Sequence, residues 1–241
     1  RGCLSESFAW AVPALISWAL QRWGVRRGRK FLLVGALGFA ALLVSHNPFA
    51  FLFAPLFGLW VLVAVYLAPD WHTAVRRIKR GVALGLLGLG LAAFFWLPGL
   101  VERGWVQADR LLGTWVFDYQ QNFISLDHLL TWPRNADPAL INDWPEKALG
   151  ALPVALALLA LLRWRRFSLS QRWYVGLLVV LAVGFSFLTL SPSLWLWDRV
   201  LLLAYIQFPW RYLGPAAFCV ALLVGALLAP LAVGGRGSSV V

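Results

Sequence analysis

Eight of the chain's polar residues sit at the ends of long apolar runs: Arg1, Glu6, His46, Asn47, Glu102, Arg103, Gln207 and Arg211. An arginine just after a proline that opens a helix, as in Pro209-Trp210-Arg211, suits a phosphate, because the guanidinium fork matches phosphate oxygens and the helix start favours anions. Each residue also has a plainer explanation. His46 and Asn47 suit a helix cap, Glu102 a helix stop, and Arg211 a side chain that snorkels to lipid headgroups. As a group they suit a substrate whose polar head lies at a membrane surface. No Walker loop, nucleophile elbow or HExxH occurs. No ionisable residue falls in the middle of an apolar run, which counts against proton- or ion-coupled transport.

A second set of chemical groups lies in residues 102–147, which carry seven acids and four bases. The tryptophans, tyrosine and phenylalanines there (Trp105, Trp115, Phe117, Tyr119, Phe123, Trp132 and Trp144) argue for a folded loop, and aromatic faces near carboxylates hold sugars. Asp127-His128 reads either as part of an acid–base arrangement or as the start of a short helix after Ser125, with Asp127 at its positive end. Cys3 and Cys219 stand too far apart in sequence to suggest a metal site or a disulfide framework. None of these residues is read as a metal ligand.

The elements that must position these groups follow from composition. Hydrophobic residues make up 61% of the 241 residues and charged residues 13%, against roughly 25% charged in an ordinary soluble domain. Lipid must therefore solvate much of the surface. A bilayer core of about 30 Å needs about 20 apolar residues in helical form. Residues 81–101, 173–197 and 212–235 meet that length without a charge. Residues 7–21 and 148–162 are shorter, with basic and aromatic flanks. Residues 31–69 hold no Asp, Glu, Lys or Arg and nearly suffice for two crossings, with Ser45-His46-Asn47-Pro48 as the turn between them. The expected fold is an all-α bundle of about seven transmembrane helices, one domain over 1–241, with a long outer loop at 102–147 and an interfacial helix at 193–206. Gly81, Gly85, Gly88 and Gly90 predict a closely packed helix face. The chain begins at Arg1 and contains no methionine, which predicts a fragment of a longer product.

The formal charge of +11 gathers in short clusters between apolar runs, a pattern of cytoplasmic loops and not of nucleic-acid binding. Arg22 to Lys30, Arg76 to Arg80 and Arg163 to Arg172 alternate with acidic or uncharged segments. The positive-inside rule then puts the N-terminus outside and the C-terminus inside. Trp23, Trp71, Trp164 and Trp173 are expected at the inner boundary, and Trp105, Trp144, Trp195, Trp197 and Trp210 at the outer one. All eight polar residues named first fall on the outer side.

Four stretches carry a resemblance. Arg1-Gly2-Cys3-Leu4-Ser5-Glu6 resembles an RG-x-x-x-E segment, and Ser45-His46-Asn47 is similar to an SHN turn. Phe94-Phe95-Trp96-Leu97-Pro98 with Glu102 resembles FFWLP-x-x-x-E, and Gln207-Phe208-Pro209-Trp210-Arg211 resembles QFPWR. In this order they resemble the bacterial multi-pass membrane proteins termed 6-pyruvoyl-tetrahydropterin-synthase-related, which are similar to the GT-C membrane glycosyltransferases. The resemblance implies a protein of the bacterial cytoplasmic membrane that uses a polyprenyl-phosphate-linked sugar on the outer face. The catalytic carboxylate of that superfamily sits in a first outer loop upstream of this sequence, so no catalytic residue transfers. A divalent metal, where used, would belong to that upstream part. Arg211, Arg1 and Arg103 would stabilise the leaving phosphate, with His46 and Glu6 organising the site. A lipid or polysaccharide transporter and a non-catalytic subunit of an envelope assembly complex are the alternative readings.

Overall fold

In a computed structural model the described residues are 4–25, 28–105, 118–132 and 147–233, with the backbone alone described for 4–7, 24–25, 103 and 228–233. They are helical, and the chain divides into two compact units, Arg1–Leu111 and Leu112–Val241.

Unit 1 is built from α1 (Leu4–Val25), α2 (Arg29–Ser45), α3 (Asn47–Tyr66), α4 (Trp71–Leu91) and α5 (Ala93–Val101). Along α1, Ala9, Val12, Pro13, Ile16 and Ala19 are buried, while Trp10, Leu15 and Trp18 are exposed. The buried stripe has helical period, yet both faces are apolar. Small residues face the packing and large ones face outward, the arrangement expected where lipid is the solvent. Gly88 on α4 packs closely on α2, since a Cβ there would meet Phe39 at 2.7 Å and the Ala36 carbonyl at 3.1 Å. Gly85 and Gly90, expected on the same packed face, have open space beside them.

The turn between α2 and α3 is a single residue, His46. The stretch 81–101, expected as one unbroken span, is two helices meeting at 70°. Glycines at 85, 88 and 90 make the end of α4 a weak helix former. At the break, Ala92 N–H reaches the Gly88 carbonyl at 3.1 Å, and the Trp96 indole N–H donates to the Leu89 carbonyl at 2.9 Å. Both carbonyls belong to a last helical turn that lacks partners of its own.

Unit 2 holds α6 (Leu126–Leu129), α7 (Ala151–Leu161), α8 (Leu169–Leu188), α9 (Leu194–Arg199), α10 (Leu201–Ala204) and α11 (Leu213–Val233). Ser168 caps α8 through a reciprocal pair with Gln171, so this helix starts four residues before the expected Trp173. The carbonyl of its last residue, Leu188, accepts from side chains further along the chain, Trp197 Nε1 at 3.2 Å and Ser193 Oγ at 3.3 Å. The interfacial segment, expected as one helix, is two short ones separated at extended Val200.

Among the described residues three helical stretches are long and apolar enough to cross a membrane: α3, α8 and residues 209–227; α4 with α5 makes a fourth if the bent pair counts as one. The expected seven are thus not all met. With 17 residues α2 extends about 26 Å, and with 11 residues α7 extends about 17 Å, short of a core of about 30 Å. The 22-residue α1 carries Ser5, Glu6 and Ser7 near one end and Gln21 and Arg22 near the other.

Candidate functional site

The densest arrangement of cations and rings among the described residues lies at the start of α11, in the segment 206–212. Gln207 has φ 65°, the one non-glycine residue with positive φ among those described. Around it the Phe208 N–H donates to the Ile206 carbonyl at 2.7 Å, closing a three-residue γ-turn of the strained hand. The same carbonyl accepts from Arg211 Nη1 at 2.8 Å. Pro209 then opens a 3-10 turn, Pro209–Tyr212, that runs into α11. A left-handed backbone at glutamine costs about 1–2 kcal/mol and persists because the guanidinium, the proline and the buried Ile206 and Tyr212 over-determine it.

Two cations flank two rings here. The Arg211 guanidinium lies 4.8 Å from the Phe208 centroid and Lys147 Nζ 4.5 Å from that of Trp210. Phe208 and Trp210 are themselves 5.3 Å apart. The Trp210 indole nitrogen is buried with no hydrogen-bond acceptor among the described residues. Burial lowers the Lys147 pKa below the usual lysine value, because desolvation penalises the charged form.

Below this lies an aromatic cluster. Trp197, 1% exposed, stacks on Tyr119 at 5.4 Å and meets Phe123 and Tyr212 edge-on. The Tyr119 hydroxyl donates to Asp198 at 3.0 Å, and Ile124 N–H donates to the Thr189 carbonyl at 3.0 Å. Residues 119–124 of the 102–147 loop are therefore packed within unit 2, whereas Trp105, in unit 1, and Trp132 are exposed. Burial first, then the Asp198 bond, raises the Tyr119 pKa. Trp197 is a core residue of unit 2. Asp127 lies in the first turn of α6, after Ser125. The Ser125 hydroxyl holds its carboxyl below the usual range, and the helix-start explanation accounts for the pair. Along α7 and α8 runs an apolar crevice of about 350 Å³, lined by Leu129, Val154, Leu158, Val183, Phe187 and Leu190 among others.

The groups read from the sequence in unit 1 are arranged differently. His46 Nδ1 accepts from the Phe49 N–H at 3.3 Å, capping α3. The neutral ring then carries its proton on Nε2, where it is a donor and not a base. Asn47 is the exposed first residue of α3. Glu102, also exposed, closes α5, with its N–H on the Pro98 carbonyl at 2.8 Å. Glu6 lies in α1 and Arg103 in the 3-10 turn Arg103–Trp105 by their backbone positions; their side chains, like all of Arg1, lie outside the described residues. Within unit 2 the fold brings the Phe208 N–H and the Arg211 guanidinium onto the Ile206 carbonyl, on either side of Gln207, whose own N–H donates to the Ala204 carbonyl at 3.1 Å. Sequence reading missed Lys147 as their neighbour, since 60 residues separate it from Gln207 and its only signal was its place at the start of an apolar run. Among the described residues no three His, Cys, Asp or Glu side chains gather to hold a metal ion.

No family model matches the chain, and neither a curated protein nor a solved structure does.

Proposed function

We propose that this chain is part of a GT-C-like membrane glycosyltransferase that takes sugar from a polyprenyl-phosphate carrier on the extracytoplasmic face of a bacterial cytoplasmic membrane. In this reading the bundle crosses seven times. The more polar α1 and the shorter α2 and α7 are carried across by basic and aromatic flanks that snorkel, and the basic turns lie in the cytoplasm. The single observation that carries the reading is the pairing of Arg211 and Lys147 around Phe208 and Trp210 at the start of α11. It sits within the QFPWR stretch that resembles the family. Two cations, one of them disfavoured by its burial, suit a phosphate drawn from the membrane surface. The apolar crevice of the same unit has the chemistry of a hydrocarbon tail, with Ser186 its one polar lining residue.

Binding of polyprenyl phosphate to the protein in nanodiscs tests this. Lys147→Gln should weaken binding about tenfold, and Arg211→Lys ten- to a hundredfold, since a charge-assisted bond contributes roughly 1.5–3 kcal/mol. Both variants should keep wild-type thermal stability within about 1 kcal/mol. Unchanged binding in both variants would remove the phosphate site and the glycosyltransferase reading that depends on it.

A further inference from the structure

Helix α5 is anomalous for a helix inside a bundle. It is nine residues of almost pure hydrocarbon and none of them is buried. Phe94, Phe95, Leu97, Leu100 and Val101 are all exposed, Phe94 and Val101 each by 73%. An apolar surface of this kind needs a covering. Its depth in the membrane identifies the covering.

The depth of α4 is set at its charged end. Arg77 donates to the Ala64 carbonyl near the end of α3, and Arg80 donates to the Trp23 carbonyl at 2.6 Å while lying over the Trp23 ring. Arg77 and Arg80 therefore share a level with the end of α3 and the basic end of α1, which carries Arg22, at one headgroup boundary. From Gly81 to Leu91 the helix rises only about 16 Å, roughly half of the hydrocarbon core. There it turns by 70°. Over nine residues α5 then gains about 5 Å in height while travelling about 13 Å sideways. A straight continuation would have gained all of that length in height.

The break is built for a place without water. A bend in hydrocarbon strands backbone carbonyls that nothing outside can satisfy, and here Trp96 Nε1 reaches back to the Leu89 carbonyl at 2.9 Å. Pro98 adds a residue with no N–H to satisfy.

We infer that α5 is an elbow lying nearly parallel to the membrane plane within the half of the bilayer away from Arg80, with its apolar side chains covered by lipid acyl chains. The partner is the acyl region of that leaflet. The consequence is that Glu102 emerges about 13 Å to the side of the α4 axis, at a lipid-facing edge. This rests on the membrane reading proposed above but not on sugar transfer.

Spin labels test it in proteoliposomes of phosphatidylcholine and phosphatidylglycerol, with Cys3 and Cys219 replaced by serine. Phe94→Cys, Leu97→Cys and Val101→Cys lie on one face of α5, and Leu59→Cys, Leu62→Cys and Tyr66→Cys lie on one face of α3. All six native side chains are exposed, so the labels replace no packed group. Depth is read from the ratio of oxygen to nickel-chelate collisions. The α3 series should change depth by about 10 Å and the α5 series by about 4 Å, with oxygen dominant throughout. A change of about 10 Å along α5 beside a normal α3 series overturns the elbow alone, and so does nickel access or strong immobilisation on α5. A flat, nickel-accessible α3 series overturns the membrane reading and the elbow with it.

Discussion

The starts of α3 and α11 look alike in sequence and differ in physics. Both place a polar residue shortly before a proline, in His46-Asn47-Pro48 and Gln207-Phe208-Pro209. At His46 the side chain caps the helix it precedes, its φ of −157° is ordinary extended backbone, and one residue suffices for the turn. At Gln207 the backbone is left-handed, a γ-turn is closed on Ile206, and an arginine four residues later is drawn back to the same carbonyl. One turn satisfies itself locally; the other holds strain in place with a guanidinium and gathers a lysine from far along the chain. The difference teaches that a proline-opened helix start is a structural signal by itself. Candidacy for a site comes from what the surrounding fold adds to it.

The largest test of the comparison is whether both starts share a membrane face. Single cysteines at Asn47 and Gln120 should react with an impermeant maleimide added to intact cells, and those at Gly28 and Ser168 should not. Reaction at the second pair would break the positive-inside map and leave the two starts incomparable.

Next comes the strain itself. Gln207→Val should destabilise the protein by about 2 kcal/mol, because a β-branched side chain tolerates positive φ poorly. Gln207→Gly should leave stability within about 1 kcal/mol of wild type, the relief of strain offset by chain entropy. Equal thermal midpoints for both variants in detergent would mean that the turn is not strained.

At the other start, His46→Ala should cost about 1 kcal/mol through loss of the cap, and His46→Asn much less. An unaffected His46→Ala variant would remove the capping role and reopen a chemical one.

The smallest effect is expected in the aromatic cluster. Tyr119→Phe should cost roughly 0.5 kcal/mol, the share of one exposed hydrogen bond. Because the folded state raises the Tyr119 pKa, it keeps the phenol proton longer than the unfolded chain does. That stabilisation is complete below pH about 10 and fades as pH rises through the folded value. Melting profiles between pH 8 and 11 should show a steeper decline for wild type than for Tyr119→Phe.

Helix content, the turn at His46 and the apolar character of the chain were legible because each is set by near neighbours in sequence. A run of leucines and alanines, or a proline after a capping residue, biases its own backbone whatever surrounds it. The family resemblance also reads from local words. Arg211 and Gln207 were legible as types, but the return of the Arg211 guanidinium to the Ile206 carbonyl across the turn at Gln207 was not, since composition carries no sign of a positive φ at glutamine.

What only the tertiary structure decided concerns distance. The run 81–101 has the length and hydropathy of one span, and nothing in its composition says that the helix turns by 70° at Ala92. That turn depends on Trp96 reaching back seven residues to the Leu89 carbonyl. Tyr119 meets Asp198 across 79 residues, and Lys147 meets Trp210 across 63. Hydropathy is a sum over neighbours and reports which solvent a segment prefers. A contact is a coincidence of two distant segments, and it becomes definite only when the helices pack.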